Sequence, residues 1–448
     1  MNRVLKFLVG GVILIGIALI TKIALHNHGE QKGKIITRIT ACITHVPDLI
    51  TAAAKDPHLL TEKELLEEYL NQQPMEFKLN SDELSYLQEK VVMVFGGAGS
   101  IGAELVRQLV GQGVTQLIVV DNHENSLVNL KKAMKDKMVN TELICLFGDI
   151  RNQKTLASIF ATYQPNVIFH YANYKSVDMG LIAPKEFFGV NVIGTINLLK
   201  AAGSHQNVER FIYISSIRAQ NPTEPYGRTK RISELLVKTF ADAYPKIKFG
   251  SIRYSAVLDS AGSYAIPIFR AQIAHGKLVN LKRVENGEIP ERYFIPRDLA
   301  AKLAIKVGSE CNCGEVFSLD GDKIKPIKID ALIKLIAKKY GVINIDEWFV
   351  NNVKLVKGDP GEKNKKLPSS SSGDGDAFDA PIMKIAIVSD AAVLNHFLKT
   401  LLSLSTDLSD KEMGLFLRKI LDEEGNLPRI DKTALPTLQN HVVLLPGP

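Results

Sequence analysis

Val91-Val-Met-Val-Phe95-Gly96-Gly-Ala-Gly99-Ser-Ile-Gly102-Ala-Glu-Leu105 decides the fold. The five large apolar residues that open it read as a strand buried on both faces, and the glycines that follow read as a sharp turn into a helix. The GxxGxxG spacing at that junction carries a chemical meaning. Glycines let the backbone turn tightly and approach a ligand closely, and a helix that opens immediately afterwards aims its unpaired amides at a phosphate. Asp121 closes the next apolar run, Leu117-Ile-Val-Val120. A carboxylate there would hold ribose hydroxyls and repel a 2′-phosphate. Gly96, Gly99, Ser100, Ile101, Gly102 and Asp121 are therefore the candidate contacts to a dinucleotide, with NAD preferred to NADP. A structural glycine turn with an incidental aspartate is the alternative.

Outward from this turn, Val- and Ile-rich runs alternate with helical patterns: Leu143-Ile-Cys-Leu-Phe147, Val167-Ile-Phe169 and Phe211-Ile-Tyr-Ile214. Such alternation predicts an α/β protein built on a Rossmann-type doubly wound parallel sheet with helices on both faces. Asp149 and Ile150 follow the third run, where a cofactor's adenine would be met, although a solvated turn aspartate fits as well. The chain has 448 residues, 46% hydrophobic and 23% charged. At ~150 residues per domain this suggests two to three units, and it excludes disordered, collagen-like and polytopic membrane classes. Basic residues number 55 against 48 acidic, a net charge of +7 with both signs interspersed. That balance suits a membrane surface or an anionic ligand and does not predict nucleic-acid binding. Four cysteines, Cys42, Cys145, Cys311 and Cys313, lack zinc-ligand spacing, so free thiols and no metal are expected.

The two ends read differently from the middle. Residues 1–30 hold a basic start and an apolar run from Phe7 to Thr21, continued to Leu25. A helix from Val4 to Leu25 would be ~33 Å long, enough to cross a bilayer core. A single N-terminal transmembrane helix is expected, with a cleaved signal peptide as the rival. The balance of flanking basic residues favours a cytoplasmic catalytic domain. Residues 31–88 read as a helical connector, with a capping box at Thr61 to Glu64; 89–363 as the catalytic unit; 364–381, centred on Ser369 to Asp376, as a flexible linker. Residues 382–448 read as a C-terminal α-rich segment and tail, with the strand-like run Ile385 to Val388, an apolar stripe from Val393 to Leu404, and a second capping box at Ser409 to Glu412.

A second constellation carries the chemistry. Ser215-Ser216 end a strand, and Tyr226-Gly-Arg-Thr-Lys230 follows. On a helix, residues four apart share a face, so the Lys230 ammonium would sit near the Tyr226 phenol and favour phenolate. Such a tyrosine takes a proton from a substrate hydroxyl while hydride leaves the same carbon, and Ser216 would hydrogen-bond that oxygen. Ser216, Tyr226 and Lys230 are the candidate catalytic residues, with Lys230 also a cofactor contact.

In these stretches, and in Gln164 to His170, Tyr174-Lys175, Asn191 to Thr195, Arg292-Tyr-Phe294 and Pro360 to Lys363, the chain resembles the extended short-chain dehydrogenase/reductases, more narrowly the CapD-type polysaccharide biosynthesis branch of UDP-N-acetylglucosamine 4,6-dehydratases and epimerases. The resemblance runs from about Leu65 to Leu421. It implies a smaller substrate-binding lobe after the core strands, a UDP-sugar substrate oxidised at C4, and substrate contacts from Lys175, Asn191, Arg253, Arg292 and Glu362. A homo-oligomer and downstream glycosyltransferases are further implications. Where dehydratases of the branch carry Ser-Thr-Asp-Lys-Ala, this chain has Ser215-Ser-Ile217-Arg218-Ala219. Ile217 has no proton to give and Arg218 is a poor base, so the elimination pair is missing while the oxidation residues remain. Asp359 replaces a family arginine, and Ala256 a family asparagine. Two readings stay open: an enzyme of dehydratase or C4-epimerase type, and a membrane-tethered module that binds NAD or nucleotide sugar without turnover.

Overall fold

The computed structural model describes residues 77–136, 141–258, 260, 265–357, 364, 366–372, 376–378, 380–385 and 408–421. The chain divides into two units, one of Met1–Leu60 with Ala337–Ile345 and the other of Thr61–Ile336 with Asp346–Pro448. In the first, the described residues finish a helix and turn, with the Tyr340 and Gly341 amides donating to the Ala337 and Lys338 carbonyls. The second holds the sheet and the site.

Nine strands make one sheet: β1 (Val91–Phe95), β2 (Gln116–Asp121), β3 (Glu142–Phe147), β4 (Val167–His170), β5 (Arg210–Ser216), β6 (Lys248–Tyr254), β7 (Cys313–Leu319), β8 (Asp376–Ala377) and β9 (Ile382–Ile385), in the order β8-β9-β7-β6-β5-β4-β1-β2-β3. From β3 to β7 every pairing is parallel, while β9 runs antiparallel to β7 and β8 to β9. The first five strands lie within two residues of their predicted limits.

Side-chain alternation builds two cores. Val92 and Val94 pack with Leu117, Val119 and Phe169 on one face, and Met93 and Phe95 pack with Ile118, Val120 and Ile168 on the other. Each such burial contributes ~1.5–3 kcal/mol, so a one-residue slip of β1 would misplace every one of them at once. Helices α1 (Ser100–Leu109) and α2 (Glu124–Met134) cover the first face; α3 (Gln153–Tyr163) covers the second. After β4 come two short helices, α4 (Val177–Ile182) and α5 (Pro184–Phe188), then a π-helical stretch at Gly189–Gly194 and α6 (Thr195–Gly203). Helix α7 (Pro225–Ala243) joins the second face and α8 (Arg297–Glu310) the first. The smaller lobe is tied by three ribbons: Ala256–Val257 with Phe294–Ile295, Glu291–Arg292 with Ile327–Lys328, and Val279–Lys282 with Val353–Val356.

Three domain expectations change. The described end of the connector belongs to the core, since Tyr86 and Leu87 are buried and Glu83 pairs with Lys306 at 2.6 Å. The segment 364–381 is anchored where it is described. Leu367 is buried, Ser369 and Ser371 donate to Asp322, Ser370 donates to Asp320 at 2.8 Å, and Asp376–Ala377 forms an edge strand. A serine run is loose only while its hydroxyls have nothing better than water, and here two carboxylates just beyond β7 take them. The described C-terminal residues join the core as well: β9 extends the sheet, and α9 (Asp410–Ile420) buries Met413 and Leu417 in the second core. Its predicted capping box is present, with Ser409 N donating to Glu412 at 2.8 Å and Glu412 N to Ser409 at 3.4 Å. The expected membrane segment, the Thr61 capping box and the Val393 to Leu404 stripe lie outside the described residues. Among the described residues no helix is long and apolar enough to cross a membrane.

All parallel strands point their C-terminal ends to one edge. From β1 the chain winds outward through β2 and β3, and from β4 it winds the other way through β5 and β6. The divergence opens a crevice above the β1–β4 junction.

Candidate active site

The glycine turn is shaped by what a side chain would strike. Gly96 has φ +72°, and a Cβ there would lie 2.5 Å from the backbone nitrogen of Ala172; a Cβ at Gly102 would lie 2.5 Å from the Gly96 oxygen. The absence of both lets the first turn of α1 settle against the end of β1, with Gly96 N bonded to Val120 O at 2.8 Å. Gly99 is the N-cap of α1 and offers no side chain, so the opening of the helix faces the crevice through Gly99, Ser100, Ile101 and Gly102. These residues fit the pyrophosphate of a dinucleotide. Gly102→Ala is expected to weaken dinucleotide binding at least tenfold (about 1.4 kcal/mol) in a fluorescence titration, because the added methyl meets backbone that has no room to shift.

Asp121 stands where the expectation put it. Its carboxylate accepts the Ala98 and His123 amides, each at 3.0 Å, which fixes it between the turn and α2. It lines a pocket of about 190 Å³ with Gly96, Gly99, Asn122, Gly148, Asp149 and Ile150. Asp149 reaches that pocket already engaged by Arg151, whose Nη2 approaches to 2.7 Å, and this hydrogen bonding holds its carboxyl below the usual range. Arg151 also reaches Glu186 at 3.0 Å.

Ser216, Tyr226 and Lys230 line one cleft of about 830 Å³ together with Gly96, Gly99 and Gly102. Pro225 and the N-cap Glu224, whose side chain accepts the Gly227 amide at 2.7 Å, start α7 so that Tyr226 falls in its first turn beside the end of β5. Burial raises the phenol above its usual 10, and the Ser216 hydroxyl opposes the rise. The expected pairing of Lys230 with Tyr226 is not what this structure contains. Lys230 Nζ donates to the Ile214 carbonyl and sits 4.5 Å from the centre of the Tyr213 ring. Burial pushes its ammonium down to about 7, overcoming the pull of Glu234. The side chain settles where a carbonyl accepts its hydrogen bond and a π face adds attraction, compensating the burial of an ammonium. His170 serves packing: it is fully buried against Phe211 and Tyr213, bonded to Thr195 at 2.9 Å, and held neutral by burial.

The substrate contacts divide. Lys175 and Arg292 line the cleft, and burial lowers the Lys175 ammonium. Asn191 and Arg253 do not reach it. Asn191 is fully buried in the π-helical stretch; it accepts the Tyr174 amide at 2.7 Å and donates to Tyr174 O and Thr229 Oγ1 at 3.0 Å. All its hydrogen-bonding groups are used, and its work is to pin the loop bearing Lys175 to α7. Arg253 lies under α7, held by two bonds of 2.7 Å to the buried Glu234. Glu362 lies outside the described residues. Sequence reasoning missed Glu234, Tyr171, Asn173 and the lobe residues Ser255 and Tyr293, the last four of which line the cleft. Glu234 had a signal: Arg231 stands three residues before it on the same helix.

The sequence pattern of the family described as polysaccharide biosynthesis protein matches residues 92–367. The capsular polysaccharide biosynthesis protein CapD of Staphylococcus aureus is 31% identical over 288 residues, 63% of this chain and 46% of CapD. The chain thus spans less than half the length of that relative. Among solved structures, Pen from Bacillus thuringiensis superposes with a TM-score of 0.57 at 24% identity, covering 70% of this chain and 99% of Pen. A double mutant of the dTDP-glucose 4,6-dehydratase DesIV of Streptomyces venezuelae, solved with NAD, gives 0.53 at 22% identity, covering 62% of this chain and 88% of DesIV. At these identities the two structures speak for the fold.

Proposed function

This chain belongs to the polysaccharide biosynthesis protein family, the CapD-type branch of the extended short-chain dehydrogenase/reductases, and on that premise we propose that it is an NAD-dependent enzyme that oxidises C4 of a UDP-N-acetylhexosamine and returns the hydride to the opposite face, a C4 epimerase. The observation that carries this reading is the meeting of Ser216 and Tyr226 with the open end of α1 in one cleft. A nicotinamide bound there supplies a reversible hydride acceptor. The chain's own residues do the rest. Ser216 holds the sugar's O4 by a hydrogen bond, and Tyr226 takes and later gives back its proton. Asp121 supports NAD over NADP by the repulsion described above.

Elimination is disfavoured because the pair that would run it is missing. Ile217 in the cleft wall has no proton to give, and Glu224, which follows on the chain, is committed to the Gly227 amide and to Arg218 at 3.4 Å. The name borne by CapD supports a role in polysaccharide assembly. Nucleotide sugars are made in the cytoplasm, so the same reading places the catalytic unit on the cytoplasmic face behind an anchor in residues 1–30; reporter fusions that place this unit outside would contradict it.

Proton NMR of UDP-N-acetylglucosamine in heavy water with the full-length protein and NAD tests the reaction. The expected outcome is the C4 epimer with no deuterium at C5 and little 4-keto-6-deoxy product. Abundant keto product, or no C4 epimer from either this sugar or its C6 carboxylate counterpart with NAD bound, would overturn it.

A further inference from the structure

Two adjacent side chains in the cleft wall offer shape and fixed charge rather than acid–base chemistry. Ile217 and Arg218 directly follow Ser216, and both line the cleft. The turn is tied down: Ser216 Oγ accepts the Arg218 amide at 3.3 Å, and Arg218 Nη1 lies 3.4 Å from Glu224 Oε1. Glu224 caps α7, the helix that carries Tyr226, so the guanidinium is held in a set relation to the phenol. The Arg218 side chain is 26% exposed, within reach of a ligand in the cleft.

Arginine stays charged at every pH a cell reaches, and its planar fork of donors matches a carboxylate. Ser216 marks the position of O4, and C6 hangs from C5, the carbon next to C4. A side chain two residues beyond Ser216 on the same turn is within reach of that substituent. Resting on the nucleotide-sugar reading above, we propose that the substrate carries a carboxylate at C6, a UDP-linked N-acetylhexosaminuronate, and that Arg218 is the residue that recognises it. Ile217 then has its explanation. A C6 carboxylate is no leaving group, so nothing at that wall has to protonate one, and an apolar side chain suffices. Inversion at C4 leaves the composition of the sugar unchanged and needs no further co-reactant. Lys175 and Arg292 line the same cleft and suit the diphosphate, while Asp178 and Glu291 are the carboxylates that face it.

Isothermal titration of the full-length protein with UDP-N-acetylglucosaminuronic acid, UDP-N-acetylglucosamine and UDP separates the possibilities, since the two sugars differ only at C6. The acid is expected to bind at least tenfold more tightly than the neutral sugar. In Arg218→Gln that preference should disappear while UDP affinity is kept, and Arg218→Lys should retain part of it. Equal affinity for the two sugars in the parent protein, or a preference that survives Arg218→Gln, would overturn the assignment. Failure of all three ligands to bind would take down the nucleotide-sugar reading itself, and the assignment with it.

Discussion

Tyr226→Phe is expected to lower kcat by about 10²–10⁴-fold while KM and the thermal melting point stay near those of the parent. The substitution removes one oxygen and keeps the ring, which meets the Phe187 ring edge-on with centroids 6.4 Å apart. The phenylalanine therefore keeps the packing. What goes is the acid–base group at O4. The direction of the Tyr226 shift sharpens the expectation. Burial raises its phenol above the ordinary value and the Ser216 hydroxyl opposes the rise, so the ring is tuned by its surroundings and not by its own chemistry. Lys230, with its ammonium near 7, is charged only in part at neutral pH. Steady-state kinetics and a thermal melt on the same preparation check the prediction; a variant that turns over at the parent rate would remove Tyr226 from the chemistry.

How far this site was legible depended on whether local pattern or tertiary partner sets the side chain's place. The glycine turn, Asp121, Ser216 and Tyr226 are fixed by their own short stretches: a strand end, a helix start and a spacing of four. Lys230 was placed correctly on the helix but not in its partnership, because the Ile214 carbonyl and the Tyr213 ring belong to a strand reached only through tertiary packing. Asn191 was hidden by the π-helical stretch, which breaks the 3.6-residue count by which a helix face is read. Arg253 was open to correction from the alternation of its own strand. Phe249 belongs to the second core and Ile252 and Tyr254 to the first, so Arg253 shares the side of Phe249, under α7.

The fold divides in the same way. Strands β1 to β5 are continuous apolar runs, and a sheet covered on both faces demands that pattern. Strand β9 is described from Ile382 to Ile385, and the serine-rich segment beside it reads as a linker from composition alone because its anchors, Asp320 and Asp322, lie nearly 50 residues away in sequence. Composition reports what a segment can do alone. It does not report which carboxylates come to meet it.

Glu234→Gln is expected to destabilise the protein by about 3–5 kcal/mol, because it removes the one negative charge from a buried cluster of two cations. Glu234 is 0% exposed, Arg253 approaches it at 2.7 Å and Arg231 at 3.1 Å, and Ser215 donates to it at 2.6 Å. Glutamine has the same shape, so no cavity opens, and the cost is that of two guanidinium groups left to face an amide. Burial alone would raise the Glu234 carboxyl, but the Arg253 and Arg231 charges and the Arg253 and Ser215 hydrogen bonds together hold it below its ordinary 4.5. A carboxyl depressed in the folded state stabilises fully above its unfolded value and loses that contribution as pH falls through the folded one. The gap between parent and variant in denaturant unfolding should therefore be widest near neutral pH and should narrow as the pH is taken below about 4.5. Arg253→Met added to Glu234→Gln should recover part of the loss, since it removes the cation that Glu234 holds by two bonds. A gap that stays constant down to pH 3, or a double variant no better than the single, would mean that the cluster holds its place by packing rather than by charge. Because Ser215 and Arg253 are cross-strand neighbours on β5 and β6, immediately before Ser216, the cluster also fixes the strand end on which the chemistry depends. The single variant should accordingly lose activity at temperatures well below its midpoint of unfolding.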